Sequence, residues 1–162
     1  MEGTIAAKDI YQEALHRAES ALGGKGGTDG HADAFRHAYW NAMLTDRFDE
    51  EWTQEYTTAH EQNPDSHSTP VAMDLHKNEV GRRIALENPD TSRDELRDLV
   101  EQAARDGEMV VIGTNERLDH SDQVDLGATH PTSKDHLWPI DNPERGQHRD
   151  PGEPDVYPER GY

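Results

Sequence analysis

The sequence predicts a mainly α-helical fold of about five helices packed around a polar cleft, with one short strand or hairpin near residues 108–118. Three observations support this prediction. Apolar residues recur at helical spacing through the first 112 residues, glycine or proline follows most of these runs, and only Glu108–Ile112 has the composition of a strand. The 162 residues are enough for one domain. We therefore expect a single helical domain over residues 1–140.

The C-terminal segment differs from the rest of the chain in composition. The last 50 residues contain six of the nine prolines and almost no hydrophobic periodicity. In that stretch only Leu137, Trp138 and Ile140 have side chains suited to docking on a core. A segment that buries little apolar area cannot offset the entropy lost when it becomes ordered. Residues 141–162 are therefore expected to form an extended or disordered acidic tail.

Three helices are expected in the first 62 residues. The first runs from the N-terminal residues to Gly23-Gly24, because a glycine pair ends a helix readily. A glycine-rich loop, Gly23–Gly30, follows it and is interpreted as a flexible hinge. The second helix covers about His31–Thr45 and contains neither glycine nor proline. The third covers about Glu50–Gln62 and is stopped by Pro64.

Two more helices are expected before the strand. The fourth covers about Pro70–Glu87, since proline is well suited to the first turn of a helix, and Pro89 interrupts the chain after it. Ser92 and Glu95 have the spacing of a capping box, which opens the fifth helix. That helix ends at Gly107.

The charge of the chain excludes several classes of function. Lys and Arg number 16 against 34 Asp and Glu, which gives a formal net charge of −18. Nucleic-acid binding takes much of its affinity from cations that neutralise phosphates, so we expect no nucleic-acid partner. Anionic membrane surfaces are disfavoured for the same reason, and no apolar run is long enough for stable membrane insertion. With no cysteine there is no disulfide, no thiolate zinc site and no cysteine nucleophile.

The second predicted helix has a stripe of polar residues that could take part in acid–base or metal-binding chemistry. Asp33, His37 and Asn41 are spaced i, i+4 and i+8, and Arg36 lies at the edge of the stripe. Three large apolar residues flank it: Phe35, Trp40 and Leu44. A carboxylate four residues before a histidine can hydrogen-bond the imidazole and raise its basicity. A general base needs this arrangement, as does a metal-ligating histidine.

The fourth predicted helix repeats this pattern. Asp74, Asn78 and Arg82 again have i, i+4 and i+8 spacing, with Gly81 beside them. Glycine inside a helix costs about 1 kcal/mol relative to alanine, which indicates close backbone approach by another helix or by a ligand. We therefore expect the two stripes to face each other across a polar cleft that His60-Glu61 could close.

Each feature also has an ordinary structural interpretation. Asp33 and His37 could be a surface pair, and the stripe that begins at Asp74 could be a solvated helix face. Trp40, like the other aromatic residues, could belong to the core. The sequence contains no metalloprotease, nucleophile-elbow or phosphate-loop motif that would decide between these interpretations.

Three motifs in order carry a resemblance to a known family. They are Asp33-Ala-Phe-Arg-His-Ala-Tyr-Trp-Asn-Ala42, Ala59-His-Glu61 and Met73-Asp-Leu-His-Lys-Asn-Glu-Val-Gly-Arg82. Over about residues 25–112 the chain resembles an uncharacterised bacterial domain family, whose members look like C-terminal modules of secreted polymorphic toxins and wall-associated proteins and also occur as short free-standing proteins. The resemblance implies a helical fold and a polar cleft. The family pattern favours Asn where Lys77 stands, so no role is predicted for Lys77.

The predicted site assigns roles as follows. His37, Asp33, Arg36, Asn41 and Arg82 are catalytic, Asp74, Glu61 and His60 hold a metal, and Asn78 and Trp40 bind substrate. Oxygen and imidazole ligands without sulfur favour calcium, magnesium or manganese, with zinc as a further candidate.

Three functions remain open at this point. The first is a toxin or effector hydrolase, a metal-assisted phosphoesterase acting on a lipid-linked or small-molecule substrate. The second is a non-enzymatic binding module with a buried polar network, and the third is a metal-independent glycohydrolase of NAD type. An acidic surface would suit an immunity protein as partner. We expect a protein that is secreted or delivered within a larger toxin; a cytoplasmic location and the oligomeric state stay open.

Overall fold

The computed structural model describes residues 2–25, 30–61, 68–113 and 117–126. Within these ranges it contains five α-helices and one antiparallel hairpin, which confirms the predicted fold class. The elements are α1 Glu2–Ala18, a 3₁₀ turn Ala21–Gly24, α2 His31–Arg47, α3 Glu50–Glu61, α4 Ser68–Glu87, α5 Arg93–Arg105, β1 Val110–Ile112 and β2 Leu118–His120.

Helix α2 is the central element of the fold. It packs against α1, α3, α4, α5 and β1, and every residue from His31 to Thr45 is buried. Small residues recur along it at Ala34, Ala38 and Ala42, which allows neighbouring helices to approach closely. A helix that is covered on all sides buries its polar residues together with its apolar ones. The polar stripe predicted on this helix is therefore inside the molecule.

Helices α2 and α4 meet at their backbones. A Cβ atom on Gly81 of α4 would lie 2.1 Å from the carbonyl oxygen of Ala38 of α2. No side chain fits at that distance, so the glycine is required by the helix–helix contact. The close backbone approach predicted from Gly81 is confirmed, and the approaching group is another helix. This contact brings the polar stripes of the two helices together.

The helix ends differ from the predictions by a few residues. Helix α1 ends at Ala18, because Leu22 (φ 52°) and Gly23 (φ 74°) turn the chain through the left-handed region. This turn buries Leu22, which the prediction had placed inside the helix. Helix α4 begins at Ser68, so Pro70 lies in its first turn, where backbone N–H groups have no intrahelical partner.

Helix α5 and the hairpin follow the predicted signals. Ser92 and Glu95 form the capping box, with the Glu95 amide donating to Ser92 Oγ at 3.3 Å and the Ser92 amide donating to Glu95 Oε2 at 3.1 Å. The strand candidate is confirmed as β1, in which Val111 pairs with Asp119 of β2. The His31 ring bonds the Ser121 carbonyl through Nε2 at 2.8 Å, which ties the end of the hairpin to the start of α2.

Some predictions fall on residues outside the described ranges. These are the tail over residues 141–162, the docking of Leu137, Trp138 and Ile140, and most of the glycine-rich loop. The domain boundary near residue 140 therefore stays a prediction. In the part of the chain that the structure describes, no helix combines the length and apolar character needed to cross a membrane.

The Gly81 contact makes a stability prediction. Gly81→Ala should lower the free energy of unfolding by about 1–3 kcal/mol, because the added methyl group overpacks the α2–α4 contact. Helix propensity alone predicts a gain of about 1 kcal/mol for the same change, so the sign is diagnostic. Thermal and urea unfolding measure the effect. Glu79→Ala, at an exposed position of the same helix, is the control and should change stability by less than about 0.5 kcal/mol. An unchanged or raised stability of Gly81→Ala would contradict the packing described here.

Candidate functional site

The two predicted stripes meet in one buried polar cluster between α2 and α4. Its eight members are Asp33, Arg36, His37 and Asn41 of α2 and Asp74, Lys77, Asn78 and Arg82 of α4. All eight are buried, and the most exposed, Arg82, retains only 9% of its accessible surface. The prediction that the stripes face each other is thereby confirmed.

The carboxylate of Asp33 is bonded by two cations. Lys77 donates from Nζ to Asp33 Oδ2 at 2.9 Å, and Arg36 donates from Nη2 to Asp33 Oδ1 at 2.6 Å. Lys77 also donates to Asp74 Oδ1 at 3.4 Å, so its ammonium group bridges the two helices. Buried charges are stable only when they are paired and hydrogen-bonded, and each of these two carboxylates meets this requirement.

The imidazole of His37 lies among the charged groups. Its Nε2 atom is 2.9 Å from Arg36 Nη2, 3.5 Å from Asp74 Oδ1 and 3.7 Å from Asp33 Oδ1. An arginine can only donate, so the Arg36 contact uses the lone pair of a neutral ring. Asp74 and Asp33 are carboxylates that lie farther from the same nitrogen. The His37 ring is therefore placed among one guanidinium and two carboxylate groups.

A second part of the cluster is built from amides and a hydroxyl group. Asn41 donates from Nδ2 to Asn78 Oδ1 at 2.7 Å and to the His37 carbonyl at 3.0 Å. Its Oδ1 accepts from Thr57 Oγ1 of α3 at 3.0 Å and from Arg82 Nη1 at 3.4 Å. The Asn41 amide thus uses both of its donors and both of its acceptor positions, and it links three helices.

Burial and neighbouring charges shift the pKa values of two members of the cluster. For Asp33, burial is the largest single influence and raises the pKa. Lys77, Arg36 and His37 together outweigh it and hold the pKa of this carboxyl well below its usual value. Burial lowers the pKa of the Arg82 guanidinium, and nearby Glu50 and Glu79 act in the opposite direction. Asp33 is therefore a carboxylate whose charge is part of the folded structure.

Three residues of the cluster have donor atoms placed as a metal site would need them. Asp33, His37 and Asp74 each offer one ligand atom, and these atoms lie within 4.8 Å of one another. Among the described residues this is the one group of metal-ligand type. The structure thus brings the predicted ligand Asp74 together with two residues predicted as catalytic.

The chain matches the model of one protein family over residues 3–108, a family described as a domain of unknown function (DUF6973). The chain belongs to this family. The matched region contains the whole buried polar cluster, and it begins earlier than the resemblance over residues 25–112, so α1 is part of the family domain. No curated protein and no solved structure matches the chain. The link between the family and toxin modules stays a prediction.

Two other predicted site residues, His60 and Trp40, lie outside the cluster of this family domain. The His60 ring packs against Trp40, with ring centroids 5.1 Å apart, and against Tyr11 at 6.4 Å. The side chain of Glu61 lies outside the described part of the chain, so a metal role for this pair stays a prediction. Trp40 is fully buried in the hydrophobic core, in the packing role that its sequence position also allowed.

Lys77 and Thr57 are members of the site that sequence reasoning missed. No role was predicted for Lys77, yet it is fully buried and bonds both aspartates. The available signal was its position three residues after Asp74, because side chains at this spacing are neighbours on one helix face. Thr57 donates from α3 to Asn41, and the repeat of Thr53 and Thr57 at i, i+4 marks the buried side of α3.

The lowered pKa of Asp33 makes the stability of this domain depend on pH. The carboxyl binds a proton more readily in the unfolded chain, so its stabilising contribution is present above the unfolded pKa of about 3.9 and is lost as the pH falls further. Asp33→Asn should cost about 3–5 kcal/mol at neutral pH, because it leaves buried cations without a counter-charge. The difference in unfolding free energy between wild type and variant should shrink below about pH 4.

Chemical denaturation between neutral and acidic pH measures this difference. Asp46→Asn, at an exposed position of the same helix, is the matched control and should show a small difference at every pH. A large Asp33→Asn effect that stays constant down to acidic pH would show that the charge of Asp33 is not the source of its stabilisation.

Proposed function

We propose that this chain is a hydrolase module of a bacterial antagonism system, acting on a phosphoester of a small-molecule or lipid-linked substrate. One observation carries the proposal. His37 Nε2 lies within 2.9–3.7 Å of one guanidinium and two carboxylate groups in a single buried cluster. Titratable and charged groups cluster in this way at functional sites, where their charges take part in the reaction.

In the proposed hydrolysis the histidine, the two aspartates and the two cations have separate roles. His37 accepts the proton of an attacking water molecule as the new bond from oxygen to phosphorus forms. Asp33 and Asp74 hold the imidazole and stabilise its protonated form. Arg36 and Lys77 provide positive charge for the oxygens on which negative charge develops in the transition state. When the ester bond breaks, the protonated His37 can return a proton to the leaving oxygen.

The charge of the whole molecule narrows the substrate class. A formal net charge of −18 repels a long polyanion such as a nucleic acid. A single phosphoester carries much less charge than a long polyanion, so the acidic molecule repels it less. This supports a small-molecule or lipid-linked phosphoester over a nucleic acid.

A divalent cation is the proposed alternative source of positive charge. Carboxylate oxygens and an imidazole nitrogen suit magnesium, manganese, calcium or zinc, and Asp33, His37 and Asp74 supply such donors. An ion there would polarise a phosphoryl oxygen as a Lewis acid. Hydrolysis measured with and without a chelator separates this form of the reaction from the one that uses Lys77.

A non-enzymatic binding module is the second candidate, and the amide part of the cluster favours it. Asn41 is fully buried with all its hydrogen-bonding capacity used, which is what a network that fixes helix register requires. In this case the acidic surface would be the functional feature, as a docking site for a basic partner such as an immunity protein.

The hydrolase proposal predicts loss of activity in His37→Ala. Expression of the wild type in a sensitive bacterium, in the cytoplasm and in the periplasm, should arrest growth in one compartment, and His37→Ala should not. Purified wild type should release phosphate from candidate phosphoesters about 10²–10⁴ times faster than the variant. His16→Ala, at an exposed histidine of α1, is the matched control and should behave as wild type. An inert, folded wild type in both compartments and in the phosphoester assay would count against the hydrolase.

Stability measurements separate the two candidates. A purely structural network predicts that His37→Ala and Asn41→Ala each lose stability, because buried polar partners are left unsatisfied at about 1–3 kcal/mol per group. Loss of activity in His37→Ala with an unchanged melting temperature would exclude the binding module. Large losses of stability in both variants, with no measurable hydrolysis by the wild type, would favour it.

A further inference from the structure

We infer that the ammonium group of Lys77 is the resident cation of the buried polar cluster and takes the place of a divalent metal ion between Asp33 and Asp74. In this view Lys77 keeps the site free of metal. The inference deepens the proposed function, on whose cluster it rests, but its test requires no enzymatic activity.

The position of the ammonium group carries the argument. Lys77 Nζ lies 2.9 Å from Asp33 Oδ2 and 3.4 Å from Asp74 Oδ1. These two carboxylates belong to the group of three residues with metal-ligand spacing, and the third member, His37, faces the same Asp74 oxygen at 3.5 Å. An ion bonded to both carboxylates would compete with the ammonium group for the same two side chains. Arg36 Nη2 lies on the other oxygen of Asp33, so cations already bond both oxygens of that carboxylate.

Charge balance leads to the same conclusion. In the buried cluster the carboxylates of Asp33 and Asp74 face three cations, which are Arg36, Lys77 and Arg82. A divalent ion added to this arrangement would add two positive charges to a water-poor cluster whose cations already outnumber its carboxylates, which is strongly unfavourable. Removal of Lys77 lowers the positive charge of the cluster by one, so a divalent ion meets less repulsion there than in the wild type.

The complete burial of Lys77 is unusual for a lysine. The residue is fully buried, and lysine is almost never fully buried unless its charge is paired. Its four-carbon stem starts one helical turn beyond Asp74 on α4 and reaches Asp33 on α2. A surface lysine usually keeps its charged end in water, so this inward orientation reflects the two carboxylates.

The consequence for the proposed hydrolysis is that the wild-type chain supplies its own cation. A chelator should leave its activity unchanged. A chain of this fold with a neutral residue at position 77 should instead need a divalent ion at the same position.

The test measures Mn²⁺ binding by the full chain. Wild type, Lys77→Asn, Lys77→Gln and Lys77→Met are titrated with Mn²⁺ while the signal of the free ion is followed by electron paramagnetic resonance. Wild type should leave millimolar Mn²⁺ free apart from weak surface binding. At least one Lys77 variant should bind one Mn²⁺ about 10–100-fold more tightly than wild type. Substitution of residues next to metal ligands changes metal affinity by a similar factor in other proteins. Bound Mn²⁺ should also raise the melting temperature of that variant.

Two controls identify where the ion binds. Lys8→Asn, at an exposed lysine of α1, changes the net charge by the same amount and should bind Mn²⁺ as weakly as wild type. Asp74→Ala combined with the Lys77 substitution should abolish the gained binding. Tight binding that survives the loss of Asp74 would place the ion elsewhere and overturn the inference.

Each remaining outcome of the Mn²⁺ titration either overturns or supports the inference. Stoichiometric Mn²⁺ binding by wild type through Asp33, His37 and Asp74 overturns the inference, and so does the absence of gained affinity in all three folded variants. Failure of all three to fold even with Mn²⁺ present overturns it too, because an ion able to replace the ammonium group would bond both carboxylates and stabilise the fold. Gained Mn²⁺ binding without hydrolysis by any form would support the inference while the proposed function fails.

Discussion

The pairing of Asp33 with Lys77 and Arg36 is the interaction on which the rest of the structure depends. Asp33 lies on a helix that is covered on all sides, so its charge must be balanced inside the protein. Arg36 on the same helix provides one cation, and Lys77 on α4 provides the other. The second pairing forces α4 to lie against α2 in one register. The glycine at position 81 allows the two backbones to come close enough for this.

A buried ion network is weak evidence for stability, since apolar residues of the same volume are often as stabilising. Its presence in a chain with few hydrophobic residues therefore needs another explanation. The network fixes the relative position of α2 and α4, and it places the His37 ring beside one guanidinium and two carboxylate groups. The first effect explains the fold, and the second is the observation on which the proposed hydrolysis rests. Both can hold in one molecule, because the amide part around Asn41 fixes register while the charged part around Asp33 is available for the proposed chemistry.

The sequence predicts much of this structure, because the helices are marked by local signals. Periodicity identified α2 and α4, Ser92 and Glu95 identified the start of α5, and the i, i+4, i+8 spacing of polar residues predicted that the two stripes face each other. The α1 boundary was missed because Leu22 adopts a left-handed conformation that its residue type does not indicate. Lys77 was missed because the family pattern favours Asn at its position, and its bond to Asp33 of α2 is a contact between helices that no local pattern encodes. The position of His60 against Trp40 likewise depends on the packing of α3, which no local pattern encodes.

The bond between His31 and Ser121 joins residues that are 90 positions apart in the sequence. Ser121 lies beyond the region that defines the family, which ends at residue 108, whereas His31 opens the helix that carries half of the polar cluster. A shortened chain that stops at the family boundary would lose both the hairpin and the acceptor of the His31 ring. The smallest unit that keeps the first turn of α2 bonded to the hairpin is therefore longer than the family domain.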